Sequence, residues 1–267
     1  MRTNNGARFQ FLCFAAAASL WSMPVLAQAP TARLSDKDVK TLLEQVDEGR
    51  DKFEGNLDGQ FKGATLNGPA GERKVGVILQ DYQDNTKKLK ERFTSDYAAS
   101  TEVATVLKQS TLIDTFMKKQ ASDMKGRSEW DRLAVNLSSL AKAYGAVFPL
   151  PDGAAVRRVN DKEAAGFAAS IAAAGDRFKN DINKDATLAK PDKDAAKKDV
   201  EVLVKQANEV KSRTSDGQPA TGEVRQLVEQ IAKVQTFVIA HPSTVVGNWQ
   251  AVQASSVKLQ QAFGLIP

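Results

Sequence analysis

Residues 36–57 read DKDVKTLLEQVDEGRDKFEGNL, and residues 161–182 read DKEAAGFAASIAAAGDRFKNDI. Each has its apolar residues at helical spacing: Val39, Leu42, Leu43, Val46, Phe53 and Leu57 in the first, Ala164, Phe167, Ala168, Ile171, Phe178 and Ile182 in the second. The two stripes superpose at a constant shift of 125, which spacing of this kind assigns to two amphipathic helices of one design. Both begin at a matching cap, Ser35 with Asp38 and Asn160 with Glu163. There a short polar side chain takes free N–H groups and an acid three residues on reaches back.

The likeness continues downstream. Leu89, Lys90 and Arg92 fall on Val210, Lys211 and Arg213 at a shift of 121, and so do Glu102, Val103, Gln109, Thr115 and Phe116 on Glu223, Val224, Gln230, Thr236 and Phe237. Trp130, Leu133, Leu140, Ala143, Tyr144 and Gly145 fall on Trp249, Val252, Leu259, Ala262, Phe263 and Gly264 at a shift of 119. The shift changes between helices, where loops accept insertions that packed helices do not. We therefore expect an all-α fold of eight helices, a tandem duplication of an up-and-down four-helix bundle, with a single curved helical array as the alternative. The first repeat spans 28–149, a linker with Pro151, Asp152 and Gly153 spans 150–159, and the second repeat spans 160–267. Gly145 and Gly264, followed by Pro149 and Pro267, have the pattern of helix stops. No strand is expected, and Val75 to Leu79 reads as the start of the second helix.

The N-terminus carries Arg2 and Arg8, then about 13 apolar residues from Phe9 to Trp21, then Val25 and Ala27 before a cut. This is the pattern of a secretory signal removed after Ala27, too short for the roughly 20 residues of a spanning helix. Cys13 lies inside it and is the chain's single cysteine, so the mature chain has no disulfide, thiol nucleophile or thiolate metal site. With Arg2 and Arg8 gone, the 37 basic residues fall to 35 against 32 acids. So thin a surplus on an exported chain argues against nucleic acid as a partner. The expected location is secreted, in the bacterial periplasm, without a membrane span.

No motif assembles a catalytic, cofactor or metal site. His241, the one histidine, precedes Pro242 with no carboxylate in its neighbourhood. It reads as a helix-end residue, where an imidazolium is mildly favoured, and any enzyme reading would have to be built around it. Ser139 and Lys142 have Ser-x-x-Lys spacing, but in mid-helix, where such residues merely share a face. The stretch 55–76, with Gly55, Gly59, Gly63, Gly68, Gly71 and Gly76, matches no phosphate-binding frame and reads as a long mobile loop. Trp130 and Trp249 are read as packing residues, with an interface role as the rival, since a feature both copies share serves what both copies need. Gln109, Gln230, Thr115 and Thr236 are candidates for hydrogen bonds between helices, with a water-facing position as the alternative. Lys87, Lys88, Lys90 and Arg92 form the least balanced basic cluster, a candidate contact for an anionic partner. The functional expectation is a non-enzymatic binding or scaffolding module of the cell envelope whose partner is a protein or other envelope component. The alternative is a carrier of an apolar small molecule within or between bundles.

Overall fold

The computed structural model describes residues 33–68, 71–120, 123–242 and 246–266. The expected signal, with its expected cut after Ala27, and Pro267 lie outside them. The fold is all-α, with 73% of the described residues in helices. In chain order come α1 (Asp36–Asn56), α2 (Gly59–Lys62), β1 (Thr65–Gly68), β2 (Gly71–Lys74), α3 (Val75–Arg92), α4 (Ser100–Lys118) and α5 (Arg127–Ala143). Then follow α6 (Asp161–Lys184), α7 (Lys190–Ser215), α8 (Thr221–Ala240) and α9 (Val246–Ala262).

The capping residues act as their chemistry predicts. Ser35 Oγ accepts from the Asp38 amide at 3.1 Å, and the Asp38 carboxylate accepts from the Ser35 amide at 3.1 Å, a complete capping box. At α6, Asn160 Oδ1 accepts from the Glu163 amide at 2.7 Å. α5 and α9 both end on a left-handed glycine, Gly145 at φ +68° and Gly264 at φ +63°. In each, one amide reaches five residues back, Ala146 to the Ala141 carbonyl and Leu265 to the Gln260 carbonyl, both at 2.9 Å. The glycine amide takes the carbonyl three residues back. This satisfies carbonyls that a helix end otherwise leaves bare.

Two hydrophobic cores form. One is built on α1, α3, α4 and α5, and α5 packs back against α1; the other is built on α6 to α9, and α9 packs back against α6. Their contacts recur at the shifts seen in the sequence. Phe53 and Trp130 lie with ring centroids 5.1 Å apart, Phe178 and Trp249 5.3 Å. The Trp130 indole N–H donates to Asp114 Oδ1, and that of Trp249 donates to Gln235 Oε1, the residue at the equivalent position. Arg92 pairs with Glu102 at 2.7 Å, and Arg213 with Glu223 at 3.1 Å. Gln109 accepts from Asn85 Nδ2 at 3.2 Å, joining α4 to α3, and Gln230 donates to the Asp199 carbonyl at 2.8 Å, joining α8 to α7.

One substitution sets the halves apart. Position 50 on α1 is an arginine, and its counterpart on α6 is Gly175. A Cβ on Gly175 would lie 2.9 Å from Val204 Cγ2 and 3.2 Å from Leu203 Cδ2. Without it, α6 and α7 sit closer together than side chains would allow.

The stretch 55–76 corrects two expectations. It is neither strandless nor a plain loop: after the single turn of α2, β1 and β2 pair antiparallel with Thr65 opposite Lys74 and Gly68 opposite Gly71. Val75 N–H then donates to the Ala64 carbonyl at 2.8 Å, so the hairpin leads straight into α3. Gly71 takes φ +88°, a left-handed backbone that glycine adopts without steric cost. Phe61 and Leu66 pack on the first core, Phe61 edge-on to Phe116 at 6.2 Å.

Charged side chains join the two helix sets. The leads into α1 and α6, Arg33-Leu34-Ser35-Asp36 and Arg158-Val159-Asn160-Asp161, cross and hold each other. The Asp36 amide donates to Asp161 Oδ2 at 2.7 Å, and the Asp161 amide donates to Asp36 Oδ2 at 2.8 Å. Arg158 Nη2 reaches Asp36 Oδ1 and the Leu34 carbonyl, both at 2.7 Å, while Arg33 pairs with Asp161 and donates to the Val159 carbonyl at 2.7 Å. Burial, and after it the charge of Arg158, lowers the Arg33 guanidinium pKa by more than Asp161 raises it, so it lies below its ordinary value.

Candidate functional site

α1 and α5 present matched stripes. Gln45, Glu48, Gly49 and Lys52 on α1, and Glu129, Arg132, Leu133 and Asn136 on α5, have the same one, four, five, eight spacing, which puts each set on one helical face. Between them runs a half-open cleft of about 240 Å³. At its floor the helices lie close together: a Cβ on Gly49 would stand 3.2 Å from Leu133 Cδ1. Its rim carries two carboxylates, two cations and two amides, with Lys52 held 3.9 Å from Glu48 and Asn136 donating across to the Gln45 carbonyl at 3.5 Å.

At the equivalent positions the second half has Ser170, Ala173, Ala174 and Arg177 on α6, and Asn248, Ala251, Val252 and Ser255 on α9. The charged rim belongs to the first half alone. A cleft of this size and polarity admits a side chain or a short turn of a partner. It is below the roughly 300–1,000 Å³ of enclosed apolar space that small-molecule sites occupy.

On the α3 side of α1 lies a second polar feature. The Arg50 guanidinium, almost fully buried, pairs through Nη2 with Asp47 at 2.7 Å and Asp51 at 2.8 Å, while its Nε and Nη1 have no hydrogen-bond partner. Asp47 also takes Lys90 Nζ at 2.5 Å. Burial pushes the Asp47 pKa up, but the bonds from Lys90 and Arg50 outweigh it and hold the carboxyl below its usual range. Nearby, burial pushes the Tyr82 hydroxyl up to about 12 against the pull of Ser110.

The sequence candidates fall in separate places. Trp130 and Trp249 are 1% exposed and lie inside the two cores, which removes them from any surface a partner could touch. The basic cluster divides: Lys87 and Lys88 are exposed, Lys90 is held by Asp47, and Arg92 is held by Glu102 with its guanidinium 5.0 Å from the Tyr97 ring. His241 ends α8, with Nδ1 3.0 Å from the Phe237 carbonyl and its ring 4.5 Å from that of Phe237. Ser139 Oγ donates to the Val135 carbonyl, a bond within its own helix. Among the described residues no group of three or more His, Cys, Asp or Glu is placed to hold a metal ion.

The cleft and the crossed helix leads escaped the sequence reading, although the leads carry a signal. Arg33 with Asp36 and Arg158 with Asp161 repeat at the shift of 125, at positions where neither helix needs a charge for its own packing. Comparison with models of protein families, with curated proteins and with solved structures finds no match. Among the described residues no helix is long and apolar enough to cross a membrane.

Proposed function

We propose that this chain is a non-enzymatic binding or scaffolding module, duplicated from a four-helix unit and exported to the periplasm by its N-terminal signal. The α1–α5 cleft is then the place where a protein partner seats a side chain. The observation that carries this reading is the pair of matched stripes. Two helix faces brought together over Gly49 and Leu133 place four charged groups around one small apolar floor, the arrangement of a polar rim about a contact point. Against a carrier stands the filling of both interiors, where Phe53 and Trp130, and Phe178 and Trp249, are each at most 1% exposed.

The test is a photo-crosslinking residue at Asn136 in the protein expressed in its own host, with the same residue at exposed Val257 as control. The expected result is a discrete protein adduct from position 136 that Arg132→Glu abolishes and position 257 does not give. Native mass spectrometry of the gently purified protein supplies the opposing outcome. A bound mass of a few hundred daltons that leaves on denaturation would replace this reading with the carrier.

A further inference from the structure

The crossed leads have the symmetry of a dimer interface. Six of the bonds there fall into three pairs related by a shift of 125 residues. Arg33 to Asp161 answers Arg158 to Asp36, Arg33 to the Val159 carbonyl answers Arg158 to the Leu34 carbonyl, and the amides of Asp36 and Asp161 each donate to the other's carboxylate. The surroundings follow the same exchange. The Arg33 guanidinium lies 5.2 Å from the ring of Phe263, beyond the end of α9. Arg158 bonds the Ala143 carbonyl at the end of α5 and bears electrostatically on Tyr144, the counterpart of Phe263. Each arginine therefore lies at the end of the last helix of the other half. A contact in which residue i of one body meets j of the other, and j meets i, is isologous.

We propose that the sequence Arg-x-(Ser/Asn)-Asp at the start of α1 and of α6 is a self-recognition handle, and that the partner it fits is a second copy of itself. The chemistry closes on two such copies without any other group. The first helical residue has an unpaired amide and favours an anion, and the handle's own Asp supplies that anion to its twin. The Arg three residues earlier then neutralises the twin's carboxylate and donates to its backbone. An isologous contact needs no covalent tether, and the linker residues Ala154, Val156 and Arg157, which dock on the first half, add to it without being part of its symmetry, so a double variant of Asp36 and Asp161 is what isolates the handle. Pro151, Asp152 and Gly153 are exposed, while the handle residues Arg158, Asn160 and Asp161 are buried. The halves of this chain are thus binding partners that happen to be fused.

A protease site inserted between Asp152 and Gly153 of the full chain tests this. Cut after folding, the two fragments should stay together as a one-to-one complex of the intact mass in native mass spectrometry at micromolar concentration. Mixed with an isotopically labelled cut sample, they should exchange halves. Asp36→Asn with Asp161→Asn, which keeps side-chain size, should weaken the pairing at least roughly 30-fold, with the uncut variant's circular dichroism checking that the helices remain. Fragments that part on cutting while staying helical would overturn the proposal. So would fragments that lose their helices on cutting, or that pair with unchanged affinity in the double variant.

Discussion

Asp36 and Asp161, 125 residues apart, each accept the other's backbone amide, at 2.7 and 2.8 Å, so each completes the first turn of the other's helix. An arginine from the opposite lead seals each carboxylate, and both arginine side chains are less than a tenth exposed. Removing either acid leaves a helix amide without a partner and takes from a buried guanidinium its nearest carboxylate, leaving it mainly on backbone carbonyls. Asp36→Ala and Asp161→Ala should therefore cost similar amounts, each about 2–4 kcal/mol in urea unfolding. The double variant should cost less than their sum, because both belong to one network. Strictly additive losses would mean that the two acids act independently.

Two glycines of α6 should respond in opposite directions. Gly175→Ala drives a methyl against Val204 and Leu203 and should cost about 1–3 kcal/mol by overpacking. Gly166→Ala, with nothing within 4 Å of the new Cβ, should gain about 0.5–1 kcal/mol from helix propensity alone. Thermal melting of the two variants reads the contrast directly.

The first half's counterpart of Gly175 gives a third prediction. Arg50 is buried with two nitrogens that make no hydrogen bond, Nη1 reaching only Glu54 at 3.9 Å, and its acids have other recourse: Asp47 keeps Lys90, Asp51 is largely exposed and Glu54 is partly so. Replacing such a charge with an apolar chain of similar length is commonly neutral or stabilising. Arg50→Met should leave the unfolding midpoint unchanged or raise it. A loss above about 2 kcal/mol would show that the guanidinium itself holds α1 in place.

How much of this was legible in the sequence follows the range of the forces involved. Ser35, Asn160, Gly145 and Gly264 act within a few residues, and their caps and stops could be read directly. The facing of Phe53 toward Trp130, and of Phe178 toward Trp249, agrees with the periodic stripes that put these residues in a core. The hairpin 65–74 was not legible, because four-residue strands with one inward apolar residue, Leu66, leave no alternation to detect. The cleft depends on α1 lying beside α5, and periodicity says which face turns inward but not which helix meets it. Arg158 follows Arg157 in the sequence, and nothing local to it reveals an acid 122 residues earlier in the chain.

Alkaline stability should depend on Tyr82. Its hydroxyl titrates near 12 in the folded chain and near 10 in an unfolded one, so the folded state holds the proton longer. That contribution is complete below pH 10 and is lost as the pH rises from 10 to 12; two units amount to about 3 kcal/mol. Burial shifts Tyr144 in the same direction. Tyr82→Phe should flatten the fall in unfolding free energy over that interval, as measured by urea titration at stepped pH. An unchanged slope would count against a buried neutral phenol.

The cation of Arg33 resting on Phe263 brings the two ends of the described chain face to face. Order along the polypeptide then becomes separable from order in space. A short peptide bridging those ends, with the backbone opened at Asp152 instead, would preserve every helix and every crossed contact in a permuted sequence that begins where the present one has its middle.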